Sequence, residues 1–194
     1  MKVIGLCGGS GSGKSTVCSL FAKIGVPSID TDKLYHDIIS TDSECTKELV
    51  AVFGERVHAR PGIDRALLRE IVFSSSDNLK RLNEITHRHI LNSVRDVIRH
   101  TEADGIIIDA PLLFESGFDK ECDLTVCVVA HNDIRLKRII ERDGISRDAA
   151  QRRIASQISN DELIERCDYS LENNATEEEL KVSVSDLYKT LFNN

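Results

Sequence analysis

Near the N-terminus, Gly8-Gly9-Ser10-Gly11-Ser12-Gly13-Lys14-Ser15-Thr16 has the residue types and spacing that hold a phosphate chain. It fits G-x-x-x-x-G-K-[ST], a pattern that arises by accident in about one chain of this length in a hundred. The glycines let the backbone curl so that successive N–H groups turn inward on an anion. Gly9 to Thr16 form the expected ATP-binding set: Gly9, Ser10, Gly11, Ser12, Gly13, Lys14, Ser15 and Thr16. Lys14 is suited to the β- and γ-phosphates, and the Ser15 hydroxyl to a magnesium ion.

Further carboxylates complete the candidate chemistry. Ser28-Ile29-Asp30-Thr31-Asp32 reads as a short strand ending in two acids, and ligands of open parallel sheets gather at strand carboxyl ends. Either Asp30 or Asp32 could instead cap the helix that begins near Lys33. Gly105-Ile106-Ile107-Ile108-Asp109 is an apolar strand ending in an acid, the pattern that places Asp109 on magnesium directly or through water. The segment Pro111-Leu112-Leu113-Phe114-Glu115 is unusually apolar for a loop. It suits either packing or a groove for an organic acceptor, with Leu112 and Glu115 as candidates.

These residues need a scaffold. Val3 to Cys7 reads as a buried strand before the loop, and Val17, Leu20, Phe21 and Ile24 give a helix face after it. Val26 to Ile29 is a second strand, Leu124 to Ala130 another and Tyr169 to Glu172 the last. Residues 33 to about 103 read as helical: Glu44 to Phe53 closed by Gly54, a helix opened by Asp64, and a long one opened by Asp77. His87 and His89 are one residue apart on it and point in different directions, so no metal is assigned to them. Asn132 opens a basic helix stopped by Gly144, and Ser146 caps another. Arg138 and Arg142 lie four apart on one face and could reach one anionic site. Thr176 with Glu179 forms a capping box before the closing helix.

Alternating strands and helices give an α/β class with a parallel sheet. The expected architecture is a P-loop NTPase three-layer fold with two helical insertions: a core of 1–32, 104–131 and 166–194, an acceptor-binding domain at 33–103 and a lid at 132–165. A lid closing over transferring phosphates is the layout of small-molecule kinases, which must exclude water.

Composition narrows the classes. The chain has 194 residues, 41% hydrophobic and 29% charged, with a net charge of -7, which argues against a general nucleic-acid binder. Six cysteines at irregular spacing suggest neither a zinc site nor a disulfide framework, and fit a reducing cytoplasm. No apolar run nears the roughly 20 residues of a membrane span, and no signal peptide precedes the first strand. A GTPase switch would need D-x-x-G and N-K-x-D, and neither occurs. A kinase of another small acceptor, such as a nucleoside monophosphate or a sugar acid, would share the loop and the fold.

Over nearly its whole length the chain resembles the dephospho-coenzyme A kinases. The loop, Ile29-Asp30-Thr31-Asp32, Asp64-Arg65 with Leu68 and Phe73, His87, Pro111 to Glu115, Arg138 to Arg142, Gln157, and Asp168 with Asn173 carry the resemblance. It implies transfer of the ATP γ-phosphoryl group to the ribose 3′-hydroxyl of dephospho-coenzyme A, the last step of coenzyme A synthesis, with ATP as co-substrate and Mg²⁺ as cofactor. It implies that Asp32 is the base, that Lys14, Arg138 and Arg142 serve the transfer, and that Asp32, Arg65, His87, Leu112 and Glu115 meet the acceptor. Four positions depart from the family pattern. Thr86-His87-Arg88 stands where Leu-His-Pro is usual, Arg135 where a Gln is usual, and Cys167 where an Ala commonly precedes Asp168.

Overall fold

The computed structural model describes residues 1–192. They divide into two compact units, Met1–Ile29 with Glu102 onward, and Asp30–Thr101.

The first unit is built on β1 (Lys2–Cys7), β2 (Ser28–Asp30), β3 (Gly105–Asp109), β4 (Leu124–Val129) and β5 (Tyr169–Glu172), in the sheet order β2-β3-β1-β4-β5. β1 pairs in parallel with β3, Ile4 opposite Ile107, and with β4, Leu6 opposite Val126; β4 pairs in parallel with β5, Val128 opposite Leu171. β1 therefore lies at the centre. Its apolar run is buried on both faces, as parallel strands covered by helices must be. Helix α1 (Lys14–Lys23) buries Val17, Leu20 and Phe21 against Ile4, Leu6, Ile107 and Val126.

The second unit is helical. It holds α2 (Thr31–Ile39), α3 (Glu44–Phe53), a 3₁₀ turn at Glu55–Val57, α4 (Arg65–Phe73) and α5 (Ser76–His100). Ile39, Leu49, Val57, Leu68, Val72 and Ile85 form its own core. Its caps follow the sequence. Asp64 accepts from the backbone N–H groups of Ala66 and Leu67, both at 3.0 Å, and Ser43 accepts from Thr46 N–H at 3.1 Å. Asp30 proves to be the cap of α2, accepting from Lys33 N–H at 2.9 Å. That helix therefore starts two residues earlier than expected. α5 begins at Ser76, one residue before the expected Asp77, and Ser75 at its N-cap position makes no side-chain cap bond.

Returning to the first unit, the segment after β4 contains three helices where two were expected: α6 (Asn132–Asp143), α7 (Arg147–Ala155) and α8 (Asn160–Arg166). Leu136, Ile139 and Ala150 make a small core between α6 and α7. Ser146 caps α7 through Ala149 N–H at 3.3 Å, and Ser159 caps α8 through Glu162 N–H at 3.1 Å. Asp168 pins the start of β5, accepting from Thr125 N–H at 2.7 Å and its hydroxyl at 2.9 Å. The last helix, α9 (Glu177–Phe192), opens on the expected capping box: Thr176 N–H donates to Glu179 at 3.0 Å and Glu179 N–H donates to the Thr176 hydroxyl at 3.3 Å.

Candidate active site

The glycine-rich loop joins the end of β1, the central strand, to the first turn of α1. Gly13 is the hinge. At φ +93° it sits in the left-handed region, and a Cβ there would fall 2.0 Å from Asn173 Nδ2. The turn aims the N-terminus of α1, with its unpaired N–H groups and partial positive charge, at whatever the loop holds. Inside the loop the Ser12 hydroxyl is buried with no hydrogen-bond partner among the described residues. A polar group left so is costly unless a ligand meets it.

Side chains more than a hundred residues away hold the loop in shape. Asn173, just past β5, donates from Nδ2 to the Ser12 carbonyl at 2.7 Å. Gln157, just past α7, accepts from Ser10 N–H at 3.0 Å and donates to the Ser10 hydroxyl at 3.0 Å. Arg135 on α6 is only 2% exposed. Its Nε donates to the Ser10 carbonyl at 3.0 Å and its Nη2 to Gln157 Oε1 at 2.8 Å, while Nη1 reaches Asn132 at 3.3 Å and Asn160 at 3.5 Å. All four acceptors are neutral. Burial without a carboxylate partner lowers the Arg135 pKa from its ordinary value, and the guanidinium adds positive potential behind the loop.

The two basic residues expected to act together take separate partners. Arg138 is half-buried and donates to the Gly11 carbonyl at 3.3 Å, the Ser12 carbonyl at 3.5 Å and Asn173 Oδ1 at 3.4 Å. Arg142 is exposed and forks onto Asp143, at 2.7 Å from Nε and 3.0 Å from Nη2. Arg153 also bonds Asp143, and the paired guanidinium groups hold that carboxyl down to about 2.

Lys14 forms an ion pair with Asp109 at the end of β3. Cys18 donates to the other oxygen of Asp109 at 3.5 Å, and burial beside that carboxylate pushes the Cys18 thiol up to about 12. Ser15 is exposed at the loop. Beside the loop, Gly8, Gly9, Leu112, Glu115, Gln157 and Leu163 line a cleft of about 160 Å³. The segment before Glu115 serves both purposes foreseen for it, since Leu113 is fully buried while Leu112 is 56% exposed.

In the second unit, Asp32 lies in the first turn of α2, and Asp30 is used as its cap. His87 is half-buried on α5, and burial lowers its pKa. Tyr35, Arg65, Arg69, Phe73, Leu79 and neighbours line a cleft of about 490 Å³. Arg65 and Arg69 are one helical turn apart on α4, and neither makes an ion pair among the described residues. Phe73, beneath Arg69, is 69% exposed. Sequence reasoning missed Arg69, although its spacing from Arg65 is the signal that could have found it.

A parallel sheet carrying this loop at the tip of its central strand is that of the P-loop kinases. Comparison with known proteins narrows the class. A family model described as CoaE, dephospho-CoA kinase, matches residues 2–179. The dephospho-CoA kinase of Fusobacterium nucleatum is 40% identical over 98% of this chain and 99% of its own length. Among solved structures, TT1252 from Thermus thermophilus superposes with a TM-score of 0.83 at 30% identity, over 98% of this chain and 97% of that one. A dephospho-CoA kinase from Campylobacter jejuni gives 0.69 at 25% identity, with the same coverage. The chain belongs to the dephospho-coenzyme A kinase family and is an ATP-dependent kinase.

Proposed function

We propose that the chain transfers the γ-phosphoryl group of ATP to the ribose 3′-hydroxyl of dephospho-coenzyme A, with Asp32 as the base. The family match over residues 2–179 carries the choice of acceptor.

The division of labour follows from the residues. The loop from Gly9 to Thr16 binds the ATP phosphates through backbone N–H groups, and Lys14 moves from Asp109 onto the β- and γ-phosphates. Phosphoryl transfer needs in-line positioning and neutralisation of charge on the transferring group more than it needs covalent chemistry. Lys14 and Arg138 supply that neutralisation. Arg142 joins them if it exchanges Asp143 for the phosphates. Asp32 takes or orients the proton of the attacking hydroxyl; it stands just past the carboxyl end of β2, and capping of α2 falls to Asp30.

The donor set suits magnesium. Ser15 and Asp109 offer a hydroxyl and a carboxylate, hard oxygen ligands, and no cluster of three acidic, His or Cys residues that could cage a metal occurs among the described residues. Mg²⁺ prefers this situation, keeping waters and binding through one or two protein oxygens and the substrate phosphates. With Asp109 already held by Lys14 and Cys18, water-mediated contact fits it best. When bound, the ion would supply charge neutralisation across the β- and γ-phosphates.

Residues 33–103 serve as the acceptor domain. Dephospho-coenzyme A carries a diphosphate between adenosine and a long arm in which alkyl segments alternate with amides. Two unneutralised arginines beside an exposed Phe73 match that chemistry, with Arg65 and Arg69 on the diphosphate. His87, Leu112 and Glu115 are assigned to the same acceptor. Residues 132–165 act as the lid, and 1–32, 104–131 and 166–194 as the nucleotide-binding core. A cytoplasmic setting fits the six cysteines, all free thiols. Among the described residues no helix is long and apolar enough to cross a membrane.

The test is an acceptor panel with purified protein and Mg-ATP. ADP release and a product one phosphate heavier are expected with dephospho-coenzyme A. Release with AMP or gluconate, and none with dephospho-coenzyme A, would overturn the assignment.

A further inference from the structure

Three thiols meet where β1 runs into the phosphate loop. Cys7 is the last residue of β1, Cys127 is its register partner on β4, and Cys167 directly follows α8. Cys7 and Cys127 are buried, at 1% and 0% exposure, whereas Cys167 is partly accessible. The Sγ atoms of Cys7 and Cys167 are 3.5 Å apart. Hydrogen bonds from Cys127 and Cys7 hold the Cys167 thiol down to about 4, while the same contacts and burial push Cys7 and Cys127 up. Cys167 is thus a partly accessible thiol in contact with a buried one, the pairing that oxidant-sensing cysteines use. Phosphoryl transfer uses none of the three.

We propose that Cys167 is a site of reversible oxidation by a hydroperoxide, with Cys7 as the resolving thiol, and that the resulting disulfide disables the phosphate loop.

The step balances. The Cys167 thiolate attacks one peroxide oxygen; an S–O bond forms, the O–O bond breaks, and the other oxygen leaves and is protonated to an alcohol or water. The Cys7 sulfur then attacks the Cys167 sulfur; an S–S bond forms, the S–O bond breaks, and hydroxide leaves with the Cys7 proton as water. Two thiols lose two electrons and the peroxide gains them.

The consequence is mechanical. Bonding draws sulfurs now 3.5 Å apart to about 2 Å. Cys7 is joined directly to Gly8, the first residue of the phosphate loop, so a pull on Cys7 acts on the loop. A shift of about 1 Å in a group that positions a reacting phosphate can cost up to about 10²-fold in rate. Dithiol reductants of the cytoplasm would reverse the change.

The full chain is treated with hydrogen peroxide, quenched with an alkylating agent, digested and mapped by mass spectrometry, with kinase activity measured alongside. The expected result is a peptide cross-linked through Cys7 and Cys167, with kcat/KM for ATP lowered about tenfold or more and both changes reversed by dithiothreitol. Cys167→Ala should match the parent before treatment and resist the same dose. Cys7→Ser should trap a sulfenic acid at Cys167, read by dimedone labelling without reference to activity. An unmodified Cys167, a cross-link that excludes Cys7, or equal inactivation of Cys167→Ala would overturn the proposal.

Discussion

Arg135 Nε donates to the carbonyl of Ser10 across 3.0 Å, joining a buried guanidinium on α6 to the middle of the phosphate loop. The same guanidinium bonds Gln157, which itself bonds the backbone and the hydroxyl of Ser10. The loop is therefore shaped from behind by side chains remote in the sequence.

Arg135→Ala should leave the Ser10 carbonyl and the Gln157 amide short of partners, at about 1–3 kcal/mol each. The melting temperature should drop, and KM for ATP should rise more than kcat falls. Arg135→Gln should recover most of both. Thermal unfolding and steady-state kinetics on the two variants decide it; an unchanged melting temperature in Arg135→Ala would mean that the network carries no stability.

If Lys14 neutralises the transferring group as proposed, Lys14→Ala should lower kcat/KM for ATP by about 10²–10³, while Arg138→Ala should lower kcat mainly, as the proposed role of Arg138 in the transfer itself requires. The split between kcat and KM in the two variants is the readout.

How much of this could be read in advance depended on the range of the interactions. The caps at Asp64, Ser146 and Thr176–Glu179, and the bounds of β3 and β5, follow from neighbours within a few residues, and the sequence marks them. α8 has seven residues and buries only Leu163, too few for a helical period to show. Arg135 reads as one more member of a solvated basic face, because nothing nearby announces Ser10, 125 positions away. Asp30 and Asp32 could not be told apart by type, and the backbone N–H of Lys33 settles which one caps. For the same reason the loop motif was plain from sequence, whereas Asn173 and Gln157 could be named only through the resemblance.

Burial sets an acid limb through His87. Its folded-state pKa is depressed below the ordinary value of about 6.5. As pH falls, the unfolded chain takes the proton first, so stability declines from about pH 6.5 down through the folded-state pKa. His87→Gln should flatten that limb. Urea unfolding at about pH 7.5 and about pH 5.5 should show the parent losing more stability than the variant; equal losses would remove His87 as the cause.

Hydrogen bonds from Cys127 and Cys7 hold the Cys167 thiol down to about 4, so Cys167 should ionise well below an ordinary thiol. Its alkylation by iodoacetamide should proceed at a rate independent of pH between about 6 and about 9, where an ordinary thiol accelerates about tenfold per unit until it ionises. Peptide-resolved labelling across that range checks this, and a rate rising steeply with pH would contradict it.

The account rests most heavily on Asp32, so the measurement that tests it most directly is turnover of Asp32→Asn with dephospho-coenzyme A, set beside its affinity for ATP. The account predicts kcat lower by about 10²–10⁴ with ATP binding unchanged. Turnover within about twofold of the parent would contradict it and move the base to another carboxylate.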